Sequence, residues 1–270
     1  MKPAAFDYER PKSLAQATGL LGEDPYGNRV LSGGQSLGPM LNLRLVQPKC
    51  LVDVRKIPEM TVAEEDNGAL LLGGCTTHSA IEDGKVPDIA NGMMASVAAG
   101  IACRAVRNRG TVGGSLTHAD PAADWPVCLL ALDAEVTLHG PSGQKNLRLQ
   151  EFLRGPFETA IQPGEFLSGV RIPKISASAR WGYYKFCRKV GEFAETMAAV
   201  LIDRDRDIAR VVIGATEGRL IVLDHGFDPA PDFDSGQAAA IVDEHLPGVD
   251  SYKRRLHTAA LRRAVAEATT

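Results

Sequence analysis

The sequence predicts an α+β protein built in lobes, and three features carry that expectation. Near the N-terminus, strand-like runs alternate with a helical pattern, which implies parallel pairing. In the middle, Asn67-Gly68 separates two strand-like runs and signals a hairpin. Beyond residue 180, four strand-like runs follow one another with little helix between them, the pattern of an antiparallel sheet, and two helices finish the chain. At 270 residues the chain exceeds the ~100 to 200 typical of one domain, so two or three lobes are expected.

The elements follow in order. Phe6 to Tyr8 reads as a short strand. Ser13 with Gln16 makes a capping box, so a helix is expected from about 13 to 21, with Gly22 as its stop. "RVL" enters Gly33-Gly34 as a strand, and "LVDV", residues 51–54, is the next. From Thr77 to Ala99 the spacing turns helical, with Thr77 as N-cap. Pro126 onward reads as a helix leading into a hairpin that turns at Pro141 to Gly143. "GEFLSGVRIPK" is a strand closed by Pro173, and "ISASAR", residues 175–180, a linker. The last helices cover "SGQAAAIVDEHL" and "YKRRLHTAALRRAVAEA", the second with Leu256, Ala259, Ala260 and Ala264 on one stripe.

Composition narrows the function classes. With 44% hydrophobic and 23% charged residues, the chain reads as an ordinary globular protein. A net charge of -3 argues against a basic nucleic-acid face. No stretch approaches the ~20 apolar residues of a membrane span, and "MKPAAFDYERPK" lacks a signal-peptide core, so a cytoplasmic protein is expected. The five cysteines are too widely spaced for a CxxC pair, and no metal or iron–sulfur site is expected in this chain.

Two glycine runs remain, "LSGGQSLGPMLNLRL" and "RNRGTVGGSLTHADPAADWP". A glycine pair lets successive N–H groups converge into an anion-binding nest, and a helix starting just behind adds its partial positive charge. Two such runs suit a pyrophosphate held between two lobes. Each alone is also an ordinary turn, and neither matches GxGxxG or the P-loop. Spacing therefore stops at a diphosphate site and does not name its guest.

"SGGQSLGPMLNLRLVQPKCLVDVRKIPEM" and "RNRGTVGGSLTHADPAADWPVCLLALDAEV" resemble the two FAD-binding signatures of the medium subunit of xanthine dehydrogenase and CO dehydrogenase family molybdenum hydroxylases. "FDYERPKSLAQATGLL" and "YYKFCRKVGEFAETMAAV" fit the same pattern in the same order. The resemblance implies a PCMH-type (vanillyl-alcohol-oxidase-like) FAD-binding fold over residues 1–175, in subdomains of about 1–56 and 57–175. A small C-terminal α+β domain of the CO dehydrogenase flavoprotein type would follow over 177–270.

Carried onto this chain, the resemblance implies a first FAD loop of Ser32, Gly33, Gly34, Gln35 and Ser36, preceded by Arg29, Val30 and Leu31, with Leu37 starting the helix behind it. The second loop would be Gly110, Thr111, Val112, Gly113, Gly114 and Ser115, acting mainly through backbone N–H groups. Ser115 stands where relatives often have Asn. Asp124 would accept from cofactor hydroxyls, and Asp120 would either join it or cap the turn at Pro121. Lys185 would approach the flavin, and Phe193 would stack on it where the commoner residue is Tyr. Leu167 is a further implied contact, while His118 is a loop contact rather than a covalent tether. His78, His139, His225, His245 and His257 receive no role.

The implied function is non-covalent FAD binding in an electron-transfer subunit. A large molybdopterin-binding partner would oxidise the substrate, and a small partner with two 2Fe–2S clusters would deliver the electrons, two copies of each chain making the assembly. A stand-alone FAD oxidoreductase and a non-catalytic nucleotide-binding scaffold are the rival readings. A C-terminal lobe of about 90 residues is small for the substrate pocket that the first rival requires.

Overall fold

The computed structural model describes residues 2–224, 227 and 232–270. The first unit comprises β1 (Asp7–Glu9), α1 (Leu14–Glu23), β2 (Asn28–Leu31), α2 (Leu37–Asn42) and β3 (Cys50–Asp53). Its sheet is parallel in the order β1-β3-β2, as the alternation of strands and helices implies. The Ser13 hydroxyl caps α1 by accepting from Gln16 N–H, and Gln16 Oε1 accepts in turn from Lys12 N–H at 2.8 Å. α1 continues through Gly22, the expected stop. Pro25 disfavours helical backbone at Asp24, and the helix ends there.

The second unit is larger. It runs through β4 (Ala63–Asp66), β5 (Ala69–Gly73), α3 (His78–Glu82), α4 (Met93–Ala99), α5 (Arg104–Arg107), α6 (Val112–His118) and α7 (Asp124–Ala131). Then come β6 (Glu135–Gly140), β7 (Gly143–Arg148), α8 (Leu149–Phe152), the short pair β8 (Leu153–Gly155) and β9 (Glu158–Thr159), and β10 (Phe166–Pro173). Its five-stranded antiparallel sheet has the order β4-β5-β10-β6-β7. Asn67 and Gly68 both take positive φ, 47° and 73°, which a type I′ hairpin turn requires. The single helix expected over 77–99 is two. Gly84 turns left-handed at the end of α3, and Pro87 cannot donate to a helical ladder, so the chain re-enters helix only at Met93. α7 is buried on every side, as its almost wholly apolar sequence dictates.

The third unit holds β11 (Arg180–Phe186), β12 (Thr196–Asp203), β13 (Ile208–Gly214), β14 (Ile221–Leu223), α9 (Ser235–His245) and α10 (Ser251–Thr269). The four strands are antiparallel in sequence order. Every residue of β12 is buried, because alternate side chains enter two cores. Ala198, Val200 and Ile202 join the α10 cluster, while Met197, Ala199 and Leu201 join the α7 cluster of the second unit.

Two expectations shift here. The buried stripe of α10 is His257, Ala260, Leu261, Ala264, Val265 and Ala268, so Leu256 and Ala259 lie at its margin. His257 takes a core position because its Nδ1 finds the Thr196 hydroxyl at 2.8 Å. The 175–180 stretch is not a loose linker. Ile175 N–H donates to the Ile89 carbonyl, Ser176 N–H donates to Asp203 Oδ2, and Asn91 Nδ2 donates to the Ser176 and Ala179 carbonyls.

Candidate functional site

The two glycine runs meet in space. Ser32, just past β2, and Thr111, the N-cap of α6, bring their hydroxyl oxygens to 2.9 Å, and the Cys75 sulfur lies 3.1 Å from the same Ser32 oxygen. Gly33 packs so tightly on the other run that an added Cβ would stand 2.2 Å from the Arg109 carbonyl oxygen. Gly34 follows at φ +71°, a left-handed turn that leads the chain into α2 at Leu37.

A third stretch, Gly74 to His78, ties the junction together. Gly113 N–H donates to the Gly74 carbonyl, Val112 N–H to the Thr76 carbonyl and His78 N–H to the Gly110 carbonyl, each at 3.0 Å. Burial pushes the Cys75 thiol up to about 11. It also lowers His78 to about 4, leaving a neutral ring whose Nδ1 accepts from Trp125 Nε1 at 2.9 Å. Sequence reasoning gave this stretch no part in the site, although Gly73-Gly74 ahead of the N-cap Thr77 is a third glycine pair of the same kind.

The two runs differ in what they offer an anion. In the first, the N–H groups of Gly34, Gln35 and Ser36 donate to no acceptor among the described residues, and Gln35 and Ser36 are exposed. Convergent N–H groups around a left-handed glycine suit phosphate oxygens. In the second, the nest expected over Thr111 to Ser115 is already engaged. Val112 and Gly113 donate to the third stretch, Gly114 N–H donates to Thr111 Oγ1 at 3.1 Å, and Ser115 N–H donates to the Thr111 carbonyl at 3.0 Å. These residues form the first turn of α6 rather than a loop ahead of it, so their N–H groups serve the fold. The half-exposed Gly114 and Ser115 are what that turn presents.

A second cluster gathers at the start of α7. Asp124, 6% exposed, accepts at Oδ1 from the Tyr183 hydroxyl at 2.7 Å and from Lys185 Nζ at 2.9 Å, and its Oδ2 lies 3.0 Å from the same ammonium. Tyr183 and Lys185 are two apart on β11 and therefore share a face. Lys185 is thus ion-paired within the chain, with a longer contact of 3.4 Å to the Gly100 carbonyl. Burial raises the Tyr183 phenol well above its ordinary range, so it stays a donor.

The remaining candidates are dispersed. Phe193, 65% exposed, lies beyond β11 in the loop that also carries the still more open Val190. Asp120 Oδ1 accepts from Ala122 N–H at 2.9 Å, the turn role weighed for it. His118 meets Phe157 edge-on at 5.2 Å, and Leu167 is a core side chain. Arg29 is exposed, Val30 and Leu31 are half-buried, and Gly110 packs against the His78 ring. His139 pairs with Ser168, and His225 lies outside the described residues. Among the described residues no three His, Cys, Asp or Glu side chains gather to hold a metal, and no helix is long and apolar enough to cross a membrane.

Residues 4–175 match the FAD binding domain in molybdopterin dehydrogenase. The chain is 36% identical to the 6-hydroxypseudooxynicotine dehydrogenase complex subunit alpha of Paenarthrobacter nicotinovorans, over 76% of this chain and 69% of that one. It is 32% identical to the carbon monoxide dehydrogenase medium chain of Afipia carboxidovorans, over 99% and 98% of the two chains. Among solved structures, quinoline 2-oxidoreductase from Pseudomonas putida 86 superposes with a TM-score of 0.85 at 30% identity, covering 100% of this chain and 98% of that one. The α+β architecture, the open N–H groups at Gly34 to Ser36 and these matches together place the chain in the family of FAD-binding medium subunits of molybdenum hydroxylases.

Proposed function

We propose that this chain carries electrons, through FAD, from the 2Fe–2S clusters of a small partner subunit to a terminal acceptor, while a large molybdopterin-binding partner oxidises the substrate. Two copies of each chain would make the complex, in the cytoplasm. The observation that carries this reading is the Ser32–Thr111 junction, which sets an open group of N–H donors against the second unit. A dinucleotide pyrophosphate needs such a group. FAD, when bound, supplies a carrier that accepts electrons singly and releases them in ones or twos.

The chain's own residues bind and orient it. The N–H groups of Gly34, Gln35 and Ser36 take pyrophosphate oxygens, with the Ser36 hydroxyl and the Gln35 amide beside them. Thr111 fixes the spacing of the two units. Lys185, held by Asp124, faces the flavin with its ammonium, and Phe193 covers the ring. Binding is non-covalent, with His118 a neighbouring contact.

The purified chain should therefore be yellow, and acid should release its flavin. Artificial reductants should bleach it, yet alone it should hydroxylate nothing. Turnover of an aldehyde or heterocycle by the lone, metal-free polypeptide would overturn the subunit reading.

A further inference from the structure

Tyr183 stands outside the reading above, yet it makes the shortest contact to the Asp124 carboxylate. A carboxylate so far out of solvent must have its oxygens occupied. Its donors are the Lys185 ammonium, at 2.9 and 3.0 Å, and the Tyr183 hydroxyl at 2.7 Å. An ammonium on a four-carbon stem is a rotatable point charge, so the position of Lys185 follows that of the carboxylate. The carboxylate itself turns about its own side-chain bonds on α7. What can hold it is a rigid donor, and Tyr183 is one: β11 pairs it with Ala199 of the fully buried β12, and its ring packs on the α7 core.

We propose that Tyr183 is a positioning residue that clamps Asp124 Oδ1, fixing the Lys185 ammonium and with it the electrostatic field at the flavin. The inference rests on the reading that Lys185 faces the ring. Without the hydroxyl, the carboxylate keeps more of its charge and draws the ammonium toward itself. Less positive field then reaches the flavin, and its reduced, more anionic form loses stabilisation.

The test uses the assembled, FAD-loaded complex. Tyr183→Phe removes one oxygen and keeps the ring, so FAD content should hold. The ratio of reduced to oxidised flavin at the wild-type midpoint should fall roughly threefold, about 14 mV for a two-electron couple. In an Asp124→Asn background the same substitution should change nothing further. An equal shift there would put the tyrosine's effect outside Asp124 and overturn the clamp.

Lys185→Met separates this inference from the reading beneath it. If that variant shifts the potential and Tyr183→Phe does not, the clamp is wrong and the flavin-facing lysine stands. If Lys185→Met leaves the potential unmoved, the lysine is not at the ring and the clamp has no route to it. Should Tyr183→Phe fail to assemble, 3-fluorotyrosine at position 183 gives a stronger donor and should raise the potential. A fall or no change would refute the clamp.

Discussion

Ser32 and Thr111, 79 positions apart in the chain, share a hydrogen bond of 2.9 Å between their hydroxyls. Thr111 Oγ1 also accepts from Gly114 N–H, so one side chain both caps α6 and fastens the first unit to the second.

Removing that side chain should therefore cost more than removing its partner. Thr111→Val loses the cap and the bond, and a destabilisation of about 2 to 3 kcal/mol is expected. Ser32→Ala should cost about 1 kcal/mol. The double variant should fall short of the sum, because the Ser32–Thr111 bond is lost only once and Ser32 then gives up only its contact with the Cys75 sulfur. Denaturant titration of the three variants checks this, and strictly additive losses would argue against the shared bond.

Gly34 should matter more to FAD than to folding. An alanine at φ +71° costs about 1 kcal/mol of strain, with its Cβ 3.2 Å from Leu31 Cδ1. Gly34→Val should leave a folded chain that loses its flavin, because the branched side chain stands beside the open N–H groups. Flavin absorbance per mole of protein, read beside circular dichroism, makes the comparison.

The Asp124–Lys185 pair sets a different pattern. Both side chains are nearly buried, so Lys185→Met strands a carboxylate and should destabilise the chain by about 3 kcal/mol. Adding Asp124→Asn should recover more than half of that loss. A double variant no more stable than the single would show that the charges are independent.

Acid should weaken the fold through its buried histidines. Burial depresses both His78 and His257 from 6.5 to about 4. Between those values the unfolded chain binds more protons than the folded one. Their contribution is thus fully present above pH 6.5 and drains away as pH falls toward 4, on the order of 3 kcal/mol for each. His257→Gln, which retains a partner for Thr196, should flatten the loss of Tm across that window. An unchanged slope would remove His257 from the explanation.

Much of this was legible in the sequence, for local reasons. The Ser13 cap, the Asn67-Gly68 turn and the alternating strands are signals within a few residues, and each stands where it was read. The first glycine run keeps its N–H groups open, as a nest requires. What stayed hidden depends on distant partners. That Val112 and Gly113 donate to Thr76 and Gly74, that Lys185 is paired with Asp124, and that His257 sits in the core behind Thr196 are tertiary facts no window of the chain contains.

The two-sided burial of β12 bears on how such chains recombine. Met197, Ala199 and Leu201 complete a core whose other wall is α7, which lies before residue 132. A C-terminal segment exchanged with a relative at residue 176 would arrive with side chains cut for a foreign helix. Hybrids joined ahead of β4 carry both walls together and keep β5 beside β10, and their soluble yield should exceed that of hybrids joined at 176. The natural seam for shuffling thus lies inside the nucleotide-binding half of the chain, ahead of the helix that both halves share.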